Sequence, residues 1–206
     1  MDKQKHMFDI IIELQAIAQS GLYYGHDQFD KERYQRLREL ACDMMSMYTD
    51  MPIEKLENVF CHEVGYQTPK IDTRAAIFND DKILLVQEND GFWSLPGGWV
   101  DINMSIKENT EKEALEEAGA TVHAKKIIAI EDRDKHNQPR YLYKVIKVFV
   151  LCELESLEFI DNIETIKYGF FDKENIPSLS TPKNNLEQIY MCFDAYQDQE
   201  WQTIFD

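Results

Sequence analysis

Two hydrophobic rhythms divide the chain. From residue 7 to residue 60 apolar side chains recur every three or four positions, the spacing of helices with one buried face. Ile10, Ile11, Leu14, Ile17 and Ala18 make a first stripe over residues 7–20, and Gly21 reads as its stop. Tyr34, Leu37, Leu40, Ala41, Met44 and Tyr48 mark a second helix over residues 30–48. Pro52 suits the first turn of a third, which carries Ile53, Leu56, Val59 and Phe60. Residues 65–70, GYQTPK, have the composition of a linker. After them the pattern becomes that of strands, DTRAAIF at 72–78 and KILLVQE at 82–88, with Asn79, Asp80 and Asp81 turning between them. Further strands are expected at 125–132, 142–154 and 166–172, and a closing helix at 185–196. The expected organisation is a helical N-terminal domain over 1–64, a linker over 65–70 and an α/β domain over 71–206 in which strands and helices form layers.

One helix in the second region departs from a simple amphipathic pattern. Ser105 followed by Glu108 predicts a capping box, and Gly119 a C-terminal stop. At 100° per residue Ile106, Thr110, Ala114 and Ala118 share a core-facing side. Glu117 falls inside the edge of that side, with Glu113 and Glu116 beside it. A carboxylate at the rim of a buried face is costly unless something pairs with it, and Glu113 and Glu117 repel each other across one turn. A cation bound between them would turn that repulsion into attraction. The Gly97-Gly98 pair just before the helix lets backbone approach such an ion closely.

Composition narrows the function. The chain is 44% hydrophobic and 12% aromatic, which makes it globular rather than disordered. Its net charge of −16 argues against a basic groove tracking nucleic acid, leaving short RNA ends as the only nucleic-acid partner to weigh. An acidic protein that handles phosphates needs local cations. Cys42, Cys61, Cys152 and Cys192 are scattered without metal-ligand spacing, as in a reduced, cytoplasmic chain. Residues 1–6 are polar, so no signal peptide is expected, and the run Ile10–Ile12 is too short to span a membrane.

Residues 98–120 resemble the Nudix box, G-x5-E-x7-R-E-U-x-E-E-x-G-U, where U is aliphatic. Aligned on Gly98, the three metal-binding glutamates of the pattern fall on Glu113, Glu116 and Glu117, and the closing glycine on Gly119. Met104 replaces the first glutamate of the pattern, Lys112 its arginine, and Ala120 its last aliphatic residue. The helical module, then TPKIDTRAAIF, LPGGWVDIN, EDRDKHNQP and FVLCEL, looks like the branch of the family that acts on nucleoside diphosphates linked to another moiety. The resemblance implies an αβα sandwich with a mixed sheet, preceded by a small all-helical domain. It also implies Mg2+ or Mn2+ held by the three glutamates and the Gly98 carbonyl, with Glu117 serving catalysis.

The same resemblance makes Glu164, in the NIET loop, a candidate general base. Arg74 on the first strand is a candidate phosphate contact, or an ion-pair partner of the box helix. The segment EDRDKHNQPR concentrates basic side chains in an acidic chain, and Asp132, Lys135 and Arg140 are taken as candidates for the far end of the substrate. His136 is not taken as a ligand. Phe92 and Trp93 could stack a base, although strand aromatics more often fill a core. The expected reaction is hydrolysis of a nucleoside diphosphate linked to X, with CDP-choline giving CMP and phosphocholine as the first choice. ADP-ribose pyrophosphatase and RNA-end hydrolase activities are alternatives, and a non-catalytic ligand sensor is a third. Every residue assigned to chemistry lies after Lys70, so the helical region is expected to serve assembly into a homodimer. Met44, Met45, Met47 and Met51 would supply its adaptable apolar surface.

Overall fold

In the computed structural model, residues 3–49, 51–61, 63–159 and 165–206 are described. The chain divides into two compact units, Met1–Pro69 and Lys70–Asp206.

The first unit holds three helices, α1 (Lys3–Tyr24), α2 (Gln28–Thr49) and α3 (Ile53–Phe60). Phe8, Ile11, Ala18, Ala41, Cys42, Met45, Leu56 and Phe60 form its buried interior. Gly21 does not stop α1, which continues to Tyr24. A Cβ at that position would lie 2.4 Å from the Tyr34 ring, so the glycine lets α2 pack closely instead of ending the helix. Gln15 donates to the Phe60 carbonyl at 3.0 Å and Gln19 to the Gly65 carbonyl at 2.9 Å, tying the end of α3 and the segment after it to α1. Of the methionines expected on an interface, Met45 is fully buried in this interior, whereas Met47 is exposed.

The second unit is built on a seven-stranded mixed sheet. Its strands are β1 (Lys70–Asn79), β2 (Lys82–Glu88), β3 (Trp93–Ser94), β4 (Ala120–Asp132), β5 (Val145–Leu157), β6 (Thr165–Phe171) and β7 (Ile204–Phe205). The order is β3-β2-β1-β5-β4-β7, with β6 pairing the free side of β2. β1 runs parallel to β5, whereas β4 and β5 are antiparallel. Strand alternation sends Ala75, Ile77, Leu84 and Val148 to one face, under Ala114 and Ala118 of α4 (Ile106–Ala118). Ala76, Phe78, Ile83 and Phe149 go to the other, under Ile189, Cys192 and Phe193 of α6 (Leu186–Gln197). Trp93 belongs to this second core, packed edge-on against Phe171 at 4.8 Å between centroids. The result is the expected αβα sandwich with a helical region before it. No helix among the described residues is long and apolar enough to cross a membrane.

Further boundaries differ from the sequence reading, and the strand expected over 142–154 runs instead from Val145 to Leu157. β4 begins at Ala120, directly after the glycine cap of α4, because residues 120–124 alternate buried and exposed side chains against the end of β5. A short helix, α5 (Arg133–His136), interrupts the basic segment after β4, capped by the Asp132 side chain accepting from the Asp134 N–H.

Candidate active site

The N-terminal half of β1 bonds to β5 on one side, while β2 reaches it only at Phe78 and Asn79 on the other. The loop before α4 fills the gap. Ala75 donates to the Pro96 carbonyl at 2.8 Å, Thr73 to Gly98 at 2.9 Å, and Val100 to Ile71 at 3.0 Å. Gly97 makes this possible. It sits at φ +149°, and a Cβ there would stand 1.9 Å from the Thr73 carbonyl oxygen. Gly98 is constrained from the opposite side, since its Cβ would lie 2.7 Å from Glu113 Oε2.

α4 is set against this loop by its caps and by one asparagine. The Ser105–Glu108 capping box is formed, and Gly119 closes the helix in the left-handed conformation at φ 63°. Buried Asn109 donates to Thr73 Oγ1 at 3.0 Å and accepts the Asp101 N–H at 3.1 Å, joining helix, strand and loop.

This scaffold places Glu113 and Glu117 in the wall of a cleft of about 920 Å³, with 8% and 6% of their surface exposed. Gly98 and the exposed Glu116 line the same cleft. Glu117 accepts the Gly97 N–H at 2.9 Å. Burial pushes its carboxyl up to about 7, against the opposing pull of Arg74 and of that N–H. Burial also raises Glu113, despite a hydrogen bond from Lys112. The Lys112 ammonium stands 3.1 Å from Glu113, 3.4 Å from Glu116 and 3.0 Å from Asp101. Lys112, at the position where the box pattern has arginine, thus links loop and helix through charge.

The residues fit a divalent cation. Their donors are carboxylate and carbonyl oxygens, the set preferred by hard cations. Two of the carboxylates are desolvated, and a cationic group already lies between Glu113 and Glu116. Among the described residues no three acidic, histidine or cysteine side chains are gathered into a ready metal shell. Glu117 turns to the loop N–H while Glu113 and Glu116 turn to Lys112.

The rest of the lining mixes basic side chains, Arg74, Arg133, Lys147 and Lys183, with the acidic Asp72, Glu88, Asp90 and Asp101. The Arg74 guanidinium is held by Asp72 through bonds of 3.0 and 2.7 Å and by the Leu95 carbonyl at 3.2 Å. Lys147 reaches the same aspartate at 2.7 Å, and burial lowers its ammonium to about 8. Asp132, Lys135 and Arg140 do not line the cleft. Asp132 caps α5, Lys135 stands 3.8 Å from Asp206 at the surface, and Arg140 lies 3.6 Å from Asp134. Arg133, from the same segment, takes their place in the lining, together with Tyr141 and Tyr143. Glu164 lies outside the described residues.

Asp72, Arg74 and Lys147 were marked in the sequence by being charged beside the apolar runs of their strands, with Asp72 and Arg74 on one face two residues apart. Arg133 carried no such mark among its charged neighbours.

Comparison with known proteins supplies two family matches. The family described as "NUDIX domain" matches residues 68–192, and the one described as "UDP-X-like, N-terminal oligomerisation domain" matches residues 5–60. A Bacillus subtilis protein provisionally named ADP-ribose pyrophosphatase YjhB is 39% identical over 194 residues, covering 94% of this chain and 93% of its own. The solved ADP-ribose pyrophosphatase of Streptococcus suis is 53% identical with a TM-score of 0.64, over 68% of this chain and all of that one. A solved UDP-X diphosphatase is 30% identical with a TM-score of 0.63, over 98% of this chain and all of that one.

Proposed function

The chain belongs to the Nudix family and is a pyrophosphatase, and we propose that it cleaves nucleoside diphosphates linked to a second moiety X, with Mg2+ or Mn2+ as cofactor. Water adds to one phosphorus, the bridging oxygen leaves with the other phosphate, and the products are a nucleoside monophosphate and phosphorylated X. CDP-choline, yielding CMP and phosphocholine, is one member of this substrate class. The relatives named for ADP-ribose and for UDP-X share the same bond.

The observation that carries the reading is that one cleft brings desolvated Glu113 and Glu117 together with the buried cations Arg74 and Lys147. A dianionic diphosphate needs cations on both sides of its scissile bond, and this cleft supplies them on one. The cation bound at Glu113, Glu116, Glu117 and the Gly98 carbonyl would neutralise phosphate oxygens and make water nucleophilic at neutral pH. The chain's own part is positional. The Gly97 N–H orients Glu117, Asn109 fixes the helix to β1, and the Asp72 carboxylate holds Arg74 and Lys147 facing the cleft. Glu164, just before β6 in the sequence, is the proposed general base. The N-terminal helices are proposed to join two copies of the chain into a homodimer, in keeping with the description of the family that matches them.

The test is a panel of CDP-choline, ADP-ribose and UDP-linked sugars, incubated with Mg2+ or Mn2+ and read by phosphorus NMR. Paired nucleoside monophosphate and phospho-X signals are expected. Failure to cleave any of the three, or unchanged turnover in excess chelator, would refute the reading.

A further inference from the structure

On the Arg133 side of the cleft, aromatic and basic side chains touch one another in a chain of contacts. Trp99 meets Tyr143 with centroids 6.0 Å apart, Tyr143 meets Tyr141 at 5.5 Å, and the Arg133 guanidinium lies 3.4 Å from the Tyr141 centroid. All four line the cleft.

Arg133 is the unusual member, because only 1% of its surface is exposed. Nε donates to the Pro182 carbonyl at 3.3 Å, and Nη1 to the Pro139 carbonyl at 2.8 Å and to Asp134 at 3.5 Å. Nη2 is buried with no hydrogen-bond partner among the described residues. A charged donor left bare in the interior is costly, and native structures rarely keep one without an acceptor arriving from elsewhere. The cleft that Arg133 lines is where such an acceptor can arrive.

The sign of the surroundings narrows its chemistry. The Tyr141 face is covered by Arg133, and the Lys70 ammonium sits 5.1 Å from the centre of Tyr143. Asp72 is shared by Arg74 and Lys147, and Asp134 by Arg133, Arg140 and Lys144. Each of these carboxylates is thus already divided among several cations. A quaternary ammonium brought here would meet cations of its own sign, Arg133 against Tyr141 and Lys70 against Tyr143. A neutral planar ring bearing carbonyl oxygens meets no such repulsion, and finds aromatic surface to pack against and a guanidinium that can only donate.

We propose that Arg133, with Tyr141 and Tyr143, forms a base-reading subsite that selects a carbonyl-bearing pyrimidine over adenine and over a cationic choline group. The assignment rests on the pyrophosphatase reading above and names the half of the substrate this side receives. Nη2 donates to a ring carbonyl while the tyrosines pack against the ring. Adenine has no exocyclic carbonyl, its acceptors are ring nitrogens and its exocyclic group is a donor like the guanidinium, so it makes the poorer match.

The experiment is calorimetric titration of the full-length protein in chelator with UMP, CMP, AMP, ribose 5-phosphate and phosphocholine. It is repeated on Arg133→Lys and Tyr141→Leu, with folding checked by circular dichroism. UMP and CMP are expected to bind about tenfold more tightly than AMP, the scale of one hydrogen bond gained or lost. They should also exceed ribose 5-phosphate and phosphocholine. Both variants should bring the pyrimidine-to-adenine ratio close to one. Tyr141→Leu leaves the carbonyl partners of Arg133 in place and decides the matter if Arg133→Lys does not fold. AMP or phosphocholine binding as tightly as UMP would overturn the proposal, as would ribose 5-phosphate matching UMP, a ratio unmoved by Tyr141→Leu, or no binding of any probe at millimolar concentration. Pyrimidine selectivity in a protein that cleaves no diphosphate would sink the pyrophosphatase reading and leave the subsite. Cleavage without selectivity would do the reverse.

Discussion

Replacing Asp72 by Asn removes one charge from a site where three charged side chains are almost fully buried. Side-chain exposures are 6% for Asp72, 5% for Arg74 and 2% for Lys147. The aspartate is the anion both cations bond to, at 2.7 Å in each case. Asparagine keeps one oxygen acceptor but leaves two positive charges facing each other out of water. Breaking a buried ion pair by removing one partner costs ~3–5 kcal/mol. The retained acceptor argues for the lower end, so the expected loss at pH 7 is about 3 kcal/mol. For a domain of this size that lowers Tm by roughly 6–12 °C. The loss should shrink as pH rises from 7 to 9. Lys147 sheds its proton near 8 in the folded protein, against an ordinary value of 10.5. Between those values the unfolded chain holds more protons, so stability from this group rises with pH. Without Asp72 the folded ammonium titrates lower still, and the neutral amine no longer opposes Arg74. Urea unfolding in chelator, followed by fluorescence, gives the answer, because Trp93, Trp99 and Trp201 all lie in the second unit. A loss below about 1 kcal/mol at pH 7, or one that grows toward pH 9, would show that the three side chains do not act as one buried network.

Other consequences are open to single measurements. Gly97→Ala places a Cβ against the Thr73 carbonyl and strains a left-handed φ; we expect about 2–4 kcal/mol of destabilisation in urea, and an unchanged midpoint would mean the loop does not need this close approach. Asn109→Ala removes the bridge from α4 to Thr73 and Asp101; a loss of about 1–3 kcal/mol is expected by thermal unfolding, and a neutral variant would show that the caps alone seat the helix. Glu164→Gln should lower kcat more than it raises KM, and an effect confined to KM would make Glu164 a binding residue. Sedimentation of the full chain should show a dimer, and a monomer at micromolar concentration would remove the assembly role from the N-terminal helices.

The box helix was legible because its signals agree with one another. Ser105, Glu108 and Gly119 mark its ends, and Glu117, with Glu113 and Glu116 beside it, falls on the edge of its apolar face, a local conflict that often marks a functional site. Gly21 was misread for the opposite reason. A glycine that ends a helix and one that admits a neighbouring ring look alike in a single sequence, and only Tyr34, thirteen residues on, separates them. The Arg133 side of the cleft was the least legible part. EDRDKHNQPR offers several cations, and which of them turns inward depends on the single turn of α5 set by the Asp132 cap. That turn buries Arg133 and leaves Lys135 at the surface. The aromatic wall depends on register as well, since Tyr141 and Tyr143 precede β5 while Trp99 comes from the loop beside β1. Trp99 is far in sequence from the Tyr143 it meets.

The claim on which everything else depends is that Glu117, buried and held by the Gly97 N–H, is part of a metal-loaded hydrolytic centre. Glu117→Gln tests it most directly, because the amide keeps an acceptor for that N–H while losing the charge. The measurement is Mn2+ affinity by calorimetry alongside turnover of the substrate cleaved best by the parent protein. Metal binding should weaken at least tenfold and turnover should fall a hundredfold or more, on the order expected for losing a charged group at a reacting centre. The variant should meanwhile unfold in chelator at or above the parent's midpoint, relieved of a desolvated carboxylate. Unchanged turnover with unchanged Mn2+ affinity would contradict the account.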